Sequence, residues 1–196
     1  PVGELRTAVA MLGLNIVRAT ATNFAMQQMQ QQDWLQPLRP ELQKMWESTN
    51  QVAAVAYTIS KQLEAMPADK AMLAGLFHGL GKLYLMTVAY RDDPEVLKDP
   101  AWAHIVSEWH PTITRAILDA WGLPEDITYA TESQDAVADG QTDNLDRLSL
   151  VVSAAKYFAS DEDSERLHDV TFSGVTFAEL ADKHEDDIKQ MIGTIS

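Results

Sequence analysis

An all-α, compact multi-helix domain is the fold this sequence predicts, and three observations carry that prediction. Apolar residues recur at helical spacing through most of the chain. Prolines, glycines and capping residues stand where helices would begin and end. Period-2 alternation is confined to a short, weak stretch near Val170 to Phe172, and no internal repeat is evident.

Taken in order, Gly3 to Gln31 reads as helical, with Leu5, Val9, Leu12, Ile16 and Val17 on one face and Gly13 as a break. The polar run Gln27 to Gln32 reads as a solvated helix end. Pro40 suits the first turn of the next helix, Glu41 to Leu63, whose buried face includes Leu42, Trp46, Val52, Val55 and Ile59. Pro67, Ala68 and Asp69 divide that helix from the segment Ala71 to Met86.

AMLAGLFHGLGKLYLM is the most informative segment. Met72, Leu73, Leu76, Phe77, Leu80, Leu83 and Tyr84 predict one strongly buried helical face. Opposite them stand Ala71, Ala74, Gly75, His78, Gly79, Gly81 and Lys82. Glycine inside a helix costs about 1 kcal/mol relative to alanine, so three of them imply that a neighbouring helix or a bound group approaches this backbone closely.

Asp92, Asp93 and Pro94 make a turn. Ala101 to Trp109 is a further apolar stretch, and Pro111 stands where a fresh helix would begin, with a buried stripe of Ile113, Ala116, Ile117, Ala120 and Trp121. Gly122 stops it, Pro124 opens a helix to about Ser133, and a polar, flexible stretch follows from Asp135 to Asp143. Leu145, Leu148, Val152, Ala155 and Phe158 define another helix, and Asp161 to Glu165 reads as a solvated acidic loop. Thr176 and Glu179 form a possible capping box for the final helix, with Val175 and Leu180 as its hydrophobic staple.

Composition narrows function. A net charge of −14 weighs against a nucleic-acid backbone or an anionic membrane surface as partner. The absence of cysteine excludes disulfides and thiolate metal sites. No secretory leader and no transmembrane-length apolar run is apparent, so a soluble, cytoplasmic protein is expected. A start at Pro1 fits a domain cut from a longer chain. None of GxxxxGK[ST], GxGxxG after a strand, GxSxG or HExxH occurs. Of five histidines, His168 and His184 lie in polar surroundings and His104 has no evident partner; His78 and His110 are the candidates for a buried site.

The segment Leu73 to Leu85, LAGLFHGLGKLYL, resembles the signature helix of the HDOD family, relatives of the HD-domain metal phosphohydrolases. Leu5 to Gly13 (LRTAVAMLG), Met45 to Ala54 (MWESTNQVAA) and His110 to Pro124 (HPTITRAILDAWGLP) resemble further family segments in the same order. The resemblance covers about 5–133 of one 1–196 domain; 134–196 matches only in being helical.

In active HD-domain enzymes the resemblance implies a histidine on one helix, a consecutive His-Asp pair on another and a further carboxylate, together holding one or two metals. Here the doublet is His78-Gly79, and glycine offers no oxygen. The first histidine position resembles Glu47, His110 survives, and the later histidine pair is replaced around Glu132 and Ser133. Two imidazoles fall short of the three protein ligands usual for catalytic zinc.

The expected site is therefore a vestigial pocket of Glu47, His78, Gly79, His110 and Glu132, with Gly75 and Lys82 as possible ligand-binding residues and no resident cofactor. The resemblance implies a non-catalytic bacterial signal-transduction domain that acts through protein partners or fused signalling domains. The alternatives are a phosphohydrolase with a rebuilt ligand set, in which Glu47 and Glu132 supply oxygens to a harder cation, and a nucleotide-sensing module.

Overall fold

The structure, a computed structural model, describes residues 32–160 and 165–195. The helical reading of Gly3 to Gln31 and all but the last residue of the acidic loop lie outside the described residues.

A 3-10 turn at Asp33–Leu38, anchored by buried Leu35 and Leu38, leads into helix α1, Arg39–Gln62. Pro40 falls in its first turn, where the missing N–H has no intrahelical role, and Leu42, Trp46, Val52, Val55 and Ile59 are buried as expected. The Ala71 to Met86 segment is two helices rather than one: α2, Ala68–Phe77, and α3, Leu80–Asp92, interrupted at His78 and Gly79. Tyr84, expected on the buried face, is 51% exposed. Asp93 then accepts a hydrogen bond from the Glu95 N–H at 3.1 Å and turns the chain.

Helix α4, Trp102–Ala120, runs straight through Pro111, so no fresh helix starts there. Its buried residues are Val106, His110, Thr114 and Leu118, one position out of phase with the expected Ile113–Ile117 stripe, and Trp121 is 56% exposed. The reason is polar: Thr114 Oγ1 accepts from the Gly81 N–H at 2.9 Å and donates to the His110 carbonyl at 2.8 Å, so a threonine rather than an isoleucine is drawn against α3. Gly122, at φ +69°, ends the helix in the left-handed region.

Helix α5, Glu125–Glu132, is followed by a short helix α6, Ala136–Asp139, inside the stretch expected to be flexible. Buried Val137 anchors it, its N–H donating to Ser153 Oγ at 2.8 Å. Helix α7, Arg147–Phe158, is N-capped by Asp146, which accepts from the Ser149 N–H. After α8, Glu165–Asp169, a two-residue hairpin pairs β1, Thr171–Phe172, with β2, Val175–Thr176, antiparallel, Phe172 opposite Val175. The expected capping box of Thr176 and Glu179 is present and opens α9, Phe177–Lys183, but the staple residue Val175 is 40% exposed. The expected last helix is split, with α10 spanning Glu185–Ile195.

Helices α1, α2, α5 and α7 pack on one another and hold the core, while α3 pairs with α4 alongside. His78 and Gly79 stand where the chain passes from the first group into the second. Ala68–Asp92 is long and apolar enough to cross a membrane, but 72% of its most apolar window is buried inside the fold, which makes it a core segment.

Candidate functional site

The small residues of α2 and α3 explain how the site is framed. A Cβ added at Gly75 would lie 2.7 Å from Ala53 Cα of α1. One at Gly81 would lie 2.0 Å from the His110 carbonyl oxygen of α4. Both glycines therefore admit a neighbouring helix, and Gly75 packs on α1 rather than bordering the cavity beside Gly79. At Gly79 an added Cβ would meet, among the described residues, only Thr49 Oγ1, at 3.2 Å, and the space beside it is a cavity of about 500 Å³.

His78 and His110 both line this cavity and both are buried, at 6% and 8% exposure. His78 Nδ1 lies 2.6 Å from the Gly75 carbonyl, which can only accept, so Nδ1 carries the proton and Nε2 is left as an acceptor. Burial, aided by the nearby Lys156 ammonium, pushes the His78 pKa down from 6.5 to about 3, so the ring is neutral at physiological pH. His110 Nε2 lies 3.3 Å from Asp135 Oδ2, and its buried Nδ1 has no hydrogen-bond partner among the described residues. Burial lowers the His110 pKa too, against the opposing pull of Asp135.

Lys156 of α7 completes the cluster. Its Nζ donates to Asp135 Oδ1 at 2.5 Å and to Gln134 Oε1 at 2.9 Å, with the side chain 23% exposed. Burial works to raise the Asp135 pKa, but the hydrogen bond from His110 and the Lys156 charge prevail and hold the carboxyl well below the usual range. Burial lowers the Lys156 pKa against the same partner. A second compartment of about 460 Å³ adjoins the first and shares Lys82, Met86, Trp102, His110 and Lys156 with it.

The structure thus brings together His78, Gly79, His110 and Lys82 and leaves two expected members out. Glu47 is exposed and accepts from Gln43 Nε2 at 2.8 Å; its neighbours Ser48 and Thr49 face the cavity instead. Glu132 is ion-paired with Arg115 on the outer side of α4 and α5 and lines neither compartment. Glu47 misses by one to two residues of helical phase, each turning a side chain by about 100°, whereas Glu132 ends α5 and the carboxylate that reaches the site, Asp135, lies in the turn beyond it.

The family model for the HDOD domain matches residues 1–137. The chain belongs to the HDOD family. It superposes with a TM-score of 0.75 on the crystal structure of a Shewanella amazonensis SB2B protein classed provisionally as a metal-dependent phosphohydrolase. Identity is 21% over 97% of this chain and 72% of that one, a likeness of fold. No curated protein matches the chain.

The fold raises the question of a metal, and the described residues of the HDOD chain do not fit one. Catalytic zinc takes three protein ligands, and harder cations more oxygens. Gly79 supplies no donor, Glu47 and Glu132 are engaged elsewhere, and Asp135 is bound to a lysine. No group of three or more His, Asp or Glu side chains is arranged to hold a metal among the described residues.

Lys156, Asp135 and Gln134 escaped the sequence reading, yet one signal was available. The sequence of α7 is apolar on almost every side, at Leu148, Leu150, Val151, Val152, Ala154, Ala155 and Tyr157. Its polar members Ser149, Ser153 and Lys156, spaced by four and three, therefore cannot share a solvated face.

Proposed function

We propose that this chain is a non-catalytic regulatory domain that acts through protein contacts, in keeping with the signalling role its family resemblance implies. The single observation that supports this reading is the Lys156–Asp135 pair. An ammonium held 2.5 Å from Asp135, the carboxylate beside His110, supplies positive charge where a phosphohydrolase would need free donors for a metal. Admitting a metal at Asp135 would first require breaking this part-buried pair and leaving the Lys156 ammonium without its carboxylate.

The outer surface favours protein partners. Ile105 and Trp109, one turn apart on α4, are 40% and 52% exposed, and Trp121 at the end of that helix is 56% exposed. Exposed aromatic residues of this kind are enriched where proteins dock. With 29 acidic residues against 15 basic ones, that partner is not expected to be a nucleic acid or an anionic membrane.

Elemental analysis of protein purified without chelator, run beside an assay of phosphomonoester and phosphodiester turnover, tests the proposal. The expected result is substoichiometric metal and no turnover. One or more equivalents of iron, manganese, zinc or magnesium, lost together with turnover in His78→Ala, would overturn it.

A further inference from the structure

We propose that the cavity beside Gly79 is a binding site for a nucleoside phosphate, with lysine ammonium groups supplying the positive charge. The proposal rests on the metal-free, non-catalytic reading of the same pocket.

Three helices each send one lysine to this cavity: Lys44 from α1, Lys82 from α3 and Lys156 from α7. In a chain with 15 basic residues against 29 acidic ones, three of the fifteen on one cavity run against the composition. Two carboxylates oppose them. Glu41 lines the first compartment, and Asp135, which borders the second, is already held by Lys156 and His110. Lys44 and Lys82 have no ion-pair partner among the described residues, so the cavity keeps excess positive charge. Lysines act on phosphate as mobile point charges and need no fixed bidentate geometry.

The rest of the lining describes the rest of the ligand. Neutral His78 presents Nε2 as an acceptor, and Ser48 and Thr49 add hydroxyls, which suits the N–H and O–H donors of a base or sugar. Trp102 and Met86 border both compartments and give a flat group an apolar wall. Each compartment, at about 500 and 460 Å³, lies within the roughly 300–1,000 Å³ range of small-molecule sites. Gly79 keeps the floor open, since the nearest atom an added Cβ would meet is a threonine hydroxyl.

Isothermal titration of the whole chain with adenosine 5′-monophosphate, guanosine 5′-diphosphate, inorganic pyrophosphate and uncharged adenosine tests the site. Saturable binding of a nucleotide but not of adenosine is expected. Lys82→Gln should weaken it about tenfold, the worth of one charge-assisted hydrogen bond. Lys44→Gln/Lys82→Gln should weaken it further, and as both side chains are exposed the ligand-free thermal midpoint should stay unchanged. No saturable response to any phosphate up to about 1 mM, or binding that survives the double substitution, overturns the site. Pyrophosphate binding as tightly as the nucleotides overturns the nucleoside assignment. Phosphate release from a bound nucleotide would instead overturn the non-catalytic reading and leave the binding site standing.

Discussion

Gly75 and Gly81 lie against the backbones of α1 and α4, whereas Gly79, between them in sequence, faces a threonine hydroxyl and open space. One run of small residues thus contains two seams and a gap. The seams fix how α2 and α3 dock on their neighbours, and any side chain there must displace backbone. The gap is free of that duty, and it borders the cavity.

Substituting the seams should have the largest effect. Gly81→Ala would set a methyl 2.0 Å from the His110 carbonyl oxygen. The resulting overpacking should cost about 3 kcal/mol or more, outweighing the roughly 1 kcal/mol of helix propensity that alanine gains. Gly75→Ala, 2.7 Å from Ala53 Cα, should follow closely, and urea unfolding measures both.

Acid should separate the regions next, through His78. The folded chain keeps this ring neutral until about pH 3, whereas the unfolded chain protonates it below 6.5. The unfolded state therefore binds more protons, and stability falls as pH drops through that window. At pH 5 the loss from His78 is about 2 kcal/mol. His78→Gln should flatten the pH 7 to pH 5 difference by about that amount in denaturant titrations.

Smaller effects belong to the gap and the outer surface. Gly79→Ala should change stability by less than about 1 kcal/mol, because its only close neighbour is a side-chain hydroxyl at 3.2 Å. A loss matching that of Gly81→Ala would abolish the distinction between seam and gap. Glu132→Gln removes a part-exposed ion pair with Arg115 and should cost less than about 1 kcal/mol. Glu47→Gln should alter neither stability nor nucleotide binding measurably, since among the described residues the exposed side chain bonds only Gln43.

What the sequence made legible was local chemistry. Pro40, Gly122 and the Thr176–Glu179 box act within a turn of themselves, and each marks its helix boundary as expected. Hydrophobic periodicity failed on α4, because its buried face contains His110 and Thr114, whose hydrogen bonds run to α3 and to the helix's own backbone. The same limit governed the site. His78 and His110 stand out by residue type, but Lys156 acquires its role only by folding beside Asp135, and Asp135 looked like the start of a loop. The phase of Glu47 and Glu132 was set by the packing of α1 and α5, which a motif does not encode.

Lys156 also has a consequence for how the chain comes together. His78, His110 and Asp135 all fall within the stretch matched by the family model, 1–137, while the cation that balances Asp135 lies 21 residues beyond it on α7. During synthesis the carboxylate leaves the ribosome before the ammonium that pairs with it. Until α7 docks, Asp135 lacks the ammonium that pairs with it in the folded chain. A chain cut after residue 137 would keep the family's signature and lose the charge that completes its centre.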